Sequence, residues 1–172
     1  EMAVLVGKPA PDFRCAAVLG NGEITDNFHL ASTIHNKYAL LFFYPLDFTP
    51  LCSSELLSLN EHIGALTARG VEVISISVDS HFTHDAWRKA TTDHHAIGTV
   101  CYTMATDLTH HIIRDYDVQA DSGVAYRATF LIDPRGVVRS QLINDFPLSR
   151  NMDEILRLID ALQNQDLADS NL

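Results

Sequence analysis

The residues of this chain best able to do chemistry beyond packing are its three cysteines, Cys15, Cys52 and Cys101. Only a thiolate is a fast nucleophile, and a thiol with the ordinary pKa of about 8.5 is only a few per cent ionised at neutral pH. A reactive cysteine therefore needs surroundings that favour the anion. Cys52 stands where an apolar run, YALLFFY from Tyr38 to Tyr44, passes through the loop PLDFTPLC into a stretch with helical spacing. A helix N-terminus offers backbone N–H groups without intrahelical partners and the positive end of the helix dipole, both favourable to a sulfur anion. On position alone, a buried structural cysteine capping an apolar stripe is the competing reading.

The other candidates carry less. An odd, small number of cysteines does not build a secreted disulfide framework and points to a reducing compartment, here the cytoplasm. Cys15 and Cys101 stand in no motif, and Cys101, between Val100 and Tyr102, reads as an inert residue on or beside a strand. Nine histidines include His94-His95 and His110-His111, but adjacent residues on a helix point apart and no ligand spacing appears, so no metal or other cofactor is expected. A formal charge of -10 disfavours nucleic acid and anionic membranes. The N-terminal stretch lacks a basic, then apolar, leader pattern, and the apolar run to Leu46 is less than half the roughly 20 residues of a membrane helix. A soluble protein is expected.

The elements that must position Cys52 follow from periodicity. Tyr38 to Tyr44 reads as a strand buried on both faces, as in parallel sheets. From Ser53, Leu56, Leu59, Ile63 and Leu66 form a helical stripe that Gly70 stops. Val71 to Val78 is a second strand, followed by a helix containing Phe82, Ala86 and Trp87. Arg127 to Ile132 and Val137 to Ile143 flank Asp133-Pro134-Arg135-Gly136, a type I turn joining a hairpin. Met152, Ile155, Leu156, Ile159 and Leu162 make a covering helix, and NQDLADSNL beyond it reads as frayed. The whole is one α/β domain with a mixed central sheet flanked by helices, spanning residues 1–164, with 165–172 the start of a flexible tail.

The loop adds specificity. Pro45, Thr49 and Cys52 reproduce the Pro-x-x-x-Thr-x-x-Cys signature of peroxiredoxins, and Ser53-Ser54-Glu55 continues in kind. DSHFTHDAW (79–87), YRATFLIDPRG (126–136) and NMDEILRLI (151–159) resemble the same family in order and spacing, over nearly the whole chain. The branch most resembled is that of typical two-cysteine peroxiredoxins and bacterial alkyl hydroperoxide reductases. The resemblance implies a thioredoxin-like fold and a thiol peroxidase acting on hydrogen peroxide and organic hydroperoxides. Cys52 would attack the peroxide and become a sulfenic acid. Thr49 would orient the peroxide, Arg127 would pair with the thiolate, Pro45 would shield the sulfur, and Glu55 would hold Arg127. Each supporting residue also has a structural reading: a strand-ending proline, a turn threonine, and a glutamate complementing a helix dipole.

The resembling branch carries a resolving cysteine in a Val-Cys-Pro segment about where this sequence ends at Leu172. Either that segment lies further on, the favoured reading, or an outside thiol resolves the sulfenic acid. The implied partners are thioredoxin or a dedicated disulfide reductase as electron donor, and a second copy of the chain in a homodimer and ring-shaped decamer. His81 and His84 flank Phe82 in the segment that such rings use between dimers, which raises a pH-sensitive assembly. A holdase chaperone assembled as such a ring is the alternative function. A disulfide exchanger is excluded, because no Cys-x-x-Cys pair is present.

Overall fold

Leu40, Leu41, Phe42, Phe43 and Tyr44 are all shut away from solvent, as a strand with large apolar side chains on both faces must be. In the computed structural model, which describes residues 3–92 and 95–170, this strand is third of seven. In chain order the strands are β1 (Arg14–Val18), β2 (Ile24–His29), β3 (Tyr38–Phe43), β4 (Val71–Ser77), β5 (Thr103–Thr106), β6 (Arg127–Ile132) and β7 (Val138–Asn144). The helices are α1 (Leu30–Thr33), α2 (Pro50–Glu61), α3 (Ile63–Ala68), α4 (His81–Lys89), α5 (His111–Asp115) and α6 (Met152–Ser170).

The strands form one sheet in the order β2-β1-β5-β4-β3-β6-β7. β3, β4 and β5 run parallel, and the remaining neighbours are antiparallel. The sheet is therefore mixed and flanked by helices, as the sequence predicts. Alternation along β3 splits the core. Leu40, Phe42 and Tyr44 pack with Leu56 and Leu59 of α2, Trp87 of α4 and Ile155 and Ile159 of α6. Leu41 and Phe43 face the other way, among Leu30, Ile112, Ile113 and Tyr116.

Four departures from the sequence reading have local causes. The helix after the loop begins at Pro50 rather than Ser53, since proline in the first turn loses no hydrogen bond and has its φ already set. It breaks at His62, whose Nδ1 lies 2.7 Å from the Ser58 carbonyl and competes for the helix ladder. Gly70, at φ +69, then turns the chain into β4. The last helix does not fray after Leu162 but runs to Ser170. Asp166 ties it down, accepting from the Tyr38 hydroxyl at 2.6 Å and from Arg139 Nη1 at 3.0 Å. The hairpin β1–β2 is absent from the sequence reading because ITDNFH is largely polar and exposed. At its turn Gly20 approaches the Cys101 backbone so closely that a Cβ would lie 3.0 Å from the carbonyl carbon.

Candidate active site

The C-terminal end of β3 delivers the loop 44–49, and Cys52 follows as the third residue of α2. β6 lies antiparallel beside β3 with Phe43 opposite Ala128, so Arg127 falls where the loop departs. The fold thus brings residues far apart in sequence to one strand end.

Cys52 is 1 % exposed, and its Sγ lies 3.3 Å from Nη1 of Arg127. The same Nη1 donates to Glu55 Oε1 at 2.8 Å, while Nε donates to the Phe146 carbonyl at 2.6 Å. A second guanidinium completes the cluster. Arg150 grips Glu55 through Nη2 to Oε1 at 2.8 Å, Nε to Oε2 at 2.9 Å and its backbone N–H to Oε2 at 2.8 Å. Its Nη1 donates to the Ala128 carbonyl at 2.9 Å, and its guanidinium carbon stands 3.4 Å over the Phe42 ring.

Burial pushes the Glu55 carboxyl up, but the hydrogen bonds and charge of Arg150, with Arg127 behind them, hold it below the usual carboxylate range. Two buried cations and one anion leave one positive charge beside the sulfur. A thiolate at Cys52 neutralises it, and a thiol does not.

The other site residues from the sequence lie in the loop. Pro45 is buried at its start. Thr49 is half-buried and flanks the first turn of α2, and its hydroxyl donates to the Leu46 carbonyl at 2.7 Å, not to the sulfur. Burial pushes the Cys15 thiol up to about 11, which keeps it protonated at neutral pH. Cys101 is exposed just before β5, and all three cysteines are free. His84 is wholly buried, so it is not a surface partner of Phe82; of these two histidines it is His81 whose ring packs there, with centroids 4.1 Å apart. His94 lies outside the described residues. Among the described residues no group of three or more His, Cys, Asp or Glu is arranged to hold a metal ion, and no helix is long and apolar enough to cross a membrane.

The sequence profile of the AhpC/TSA family matches residues 6–141. The chain belongs to this family. Among its relatives, the alkyl hydroperoxide reductase C of Buchnera aphidicola subsp. Baizongia pistaciae is 43% identical over 160 residues, 92% of this chain and 80% of that protein. The mitochondrial thioredoxin-dependent peroxide reductase of Drosophila melanogaster is 43% identical over 164 residues, 94% of this chain and 68% of that protein. The reduced 2-Cys peroxiredoxin of Plasmodium vivax superposes with a TM-score of 0.90 at 41% identity, covering 95% of this chain and 84% of that one. Thiol-dependent peroxide reduction is the chemistry of the AhpC/TSA peroxiredoxins, and this chain is such a peroxidase with the thioredoxin-like fold of that group.

Arg150 is the residue of this buried cluster that sequence reasoning misses. It stands one residue before the family-like stretch 151–159, and no spacing connects it to Cys52; only folding brings it onto Glu55.

Proposed function

We propose that Cys52 is the thiol with which this peroxidase reduces hydrogen peroxide and organic hydroperoxides. The observation that carries this reading is the Arg127 guanidinium 3.3 Å from the Cys52 sulfur, inside a buried cluster with one positive charge to spare. The thiolate attacks the terminal peroxide oxygen and the O–O bond breaks. Sulfur is oxidised to a sulfenic acid, and the departing oxygen takes up a proton to leave as water or an alcohol. Arg127 pairs with the thiolate and the charge that spreads onto the peroxide oxygens. Thr49, whose hydroxyl proton is committed to Leu46, has lone pairs with which to accept the peroxide O–H. Glu55 and Arg150 fix Arg127, and Pro45 closes the loop side against water.

A second thiol then condenses with the sulfenic acid, forming a disulfide and releasing water, and thioredoxin or a dedicated disulfide reductase reduces that disulfide by thiol–disulfide exchange. The thioredoxin-dependent relative in Drosophila melanogaster supports the first. The chain works as a homodimer built into a ring-shaped decamer, a reading favoured by Phe82, 72 % exposed, with Phe48 and Leu46 also open to solvent. Three free thiols suit a reducing compartment such as the cytoplasm.

Rapid mixing of the reduced protein with hydrogen peroxide, followed through the single Trp87, tests the assignment. A fast fluorescence change in wild type that disappears in Cys52→Ser is expected. Its persistence in Cys52→Ser would overturn it.

A further inference from the structure

Between the end of β3 and Thr49 the chain passes through two residues held by α4. Asp47 is buried, and its Oδ2 lies 2.6 Å from Nδ1 of His84. Its Oδ1 accepts the Tyr44 hydroxyl at 2.6 Å, and its backbone N–H donates to Asp79 Oδ2 at 2.9 Å. Phe48, the next residue, sits at φ +62, a left-handed conformation that a bulky side chain keeps only where its surroundings impose it. Its ring packs on Trp87 of the same helix, with centroids 5.7 Å apart.

The imidazole of His84 is clamped on its other side as well, with Nε2 3.1 Å from the Ala105 carbonyl of β5. A carbonyl only accepts, so Nε2 carries a hydrogen; Nδ1 and the Asp47 carboxylate share a proton between them. The ring therefore spans from sheet to loop without slack. We infer that His84 is a positioning residue for the peroxidase reaction: wedged between Ala105 and Asp47, it holds the loop so that Thr49 and Cys52 meet the peroxide in register. The inference rests on Cys52 being the nucleophile.

The groups facing Asp47 define what its loss would do. Among the described residues they are Tyr44 from the end of β3, Asp79 from beyond β4, His84 from α4 and Tyr102 from just before β5. Of these only His84 can offset a negative charge. Burial already pushes the Asp47 carboxyl up against the pull of His84. Without that pull a protonated Asp47 stays buried, whereas an ionised one seeks water and draws Phe48 and Thr49 with it. A defect at His84 should therefore deepen as pH rises, which a simple packing loss would not do.

The test compares hydrogen peroxide consumption in single turnover by wild type, His84→Leu, Asp47→Asn/His84→Leu and Cys52→Ser, between mildly acidic and mildly alkaline pH, with thermal melts on each. His84→Leu is expected to react about tenfold or more slowly than wild type at the alkaline end, since small misplacements of reacting groups carry penalties of that order. Its deficit should narrow toward acid pH, and the double variant, with no charge to bury, should show a deficit independent of pH. A folded His84→Leu that matches wild type, or is slowed by one factor at every pH, would overturn the role of His84. Should His84→Leu not fold, His84→Gln, whose amide can reach Asp47, is expected to outpace the shorter His84→Asn; equal rates would overturn it. Cys52→Ser tests the nucleophile separately: fast reaction there would sink that assignment, whereas an inert Cys52→Ser beside an unimpaired His84→Leu would sink only the positioning role.

Discussion

At the scale of single residues, the site is a charge balance struck out of water. Glu55 accepts from both arginines, and removing one partner of a buried ion pair costs about 3–5 kcal/mol because the other is left uncompensated. Arg150→Met leaves Arg127 on Glu55, so a loss near the lower end of that range, about 3 kcal/mol, is expected in urea unfolding, with slower peroxide reduction. The Glu55 carboxyl, held below its ordinary value of 4.5, adds a pH signature. A depressed carboxyl stabilises the fold fully above its unfolded value, and that contribution disappears as pH falls through the folded value. Wild-type unfolding free energy should therefore drop below about pH 4.5 by a component that Glu55→Gln lacks, measurable by denaturation at a series of pH values. How much of this was legible in the sequence depended on whether a role was written locally. Pro45, Thr49, Cys52 and Glu55 lie within one loop and the helix turn that follows, and the motif marks them. Arg127 was found through its resemblance to the family. Arg150 carries no local mark, because its function is created by convergence on Glu55.

At the scale of elements, α2 carries the sulfur and the sheet carries α2. Leu56 and Leu59 are fully buried against the layer that includes Phe42 and Tyr44, and the Tyr102 hydroxyl donates to the Leu56 carbonyl at 2.8 Å. Leu59→Ala, far from the reacting atoms, should cost about 2–5 kcal/mol in chemical denaturation through the lost burial and the cavity left behind. The strands β3 and β4, the hairpin β6–β7 and the α2 stripe were legible because their periodicity is strong. The hairpin β1–β2 was not, since a polar edge strand has little alternation to read. The end of α6 was misread for a related reason. Its polar residues resemble a solvated tail until Tyr38 and Arg139 are seen to bind Asp166.

At the scale of the molecule, a chain of net charge -10 encloses a positively charged centre, and the exposed apolar side chains Leu46, Phe48 and Phe82 lie on the loop and on α4. Phe82→Arg should convert a sedimenting oligomer into smaller species, and an unchanged sedimentation profile would argue against that surface as the ring contact. The placement of β3 has another consequence. It is paired on both sides and buried on both faces, so its amide protons exchange with solvent only when the domain unfolds as a whole. The amides from Leu46 to Thr49, in a loop fastened largely through Asp47 and Phe48, can exchange by a local opening. Deuterium uptake should accordingly be fast in the loop and slowest in the strand that delivers it, as for a gate hung on a post that does not move.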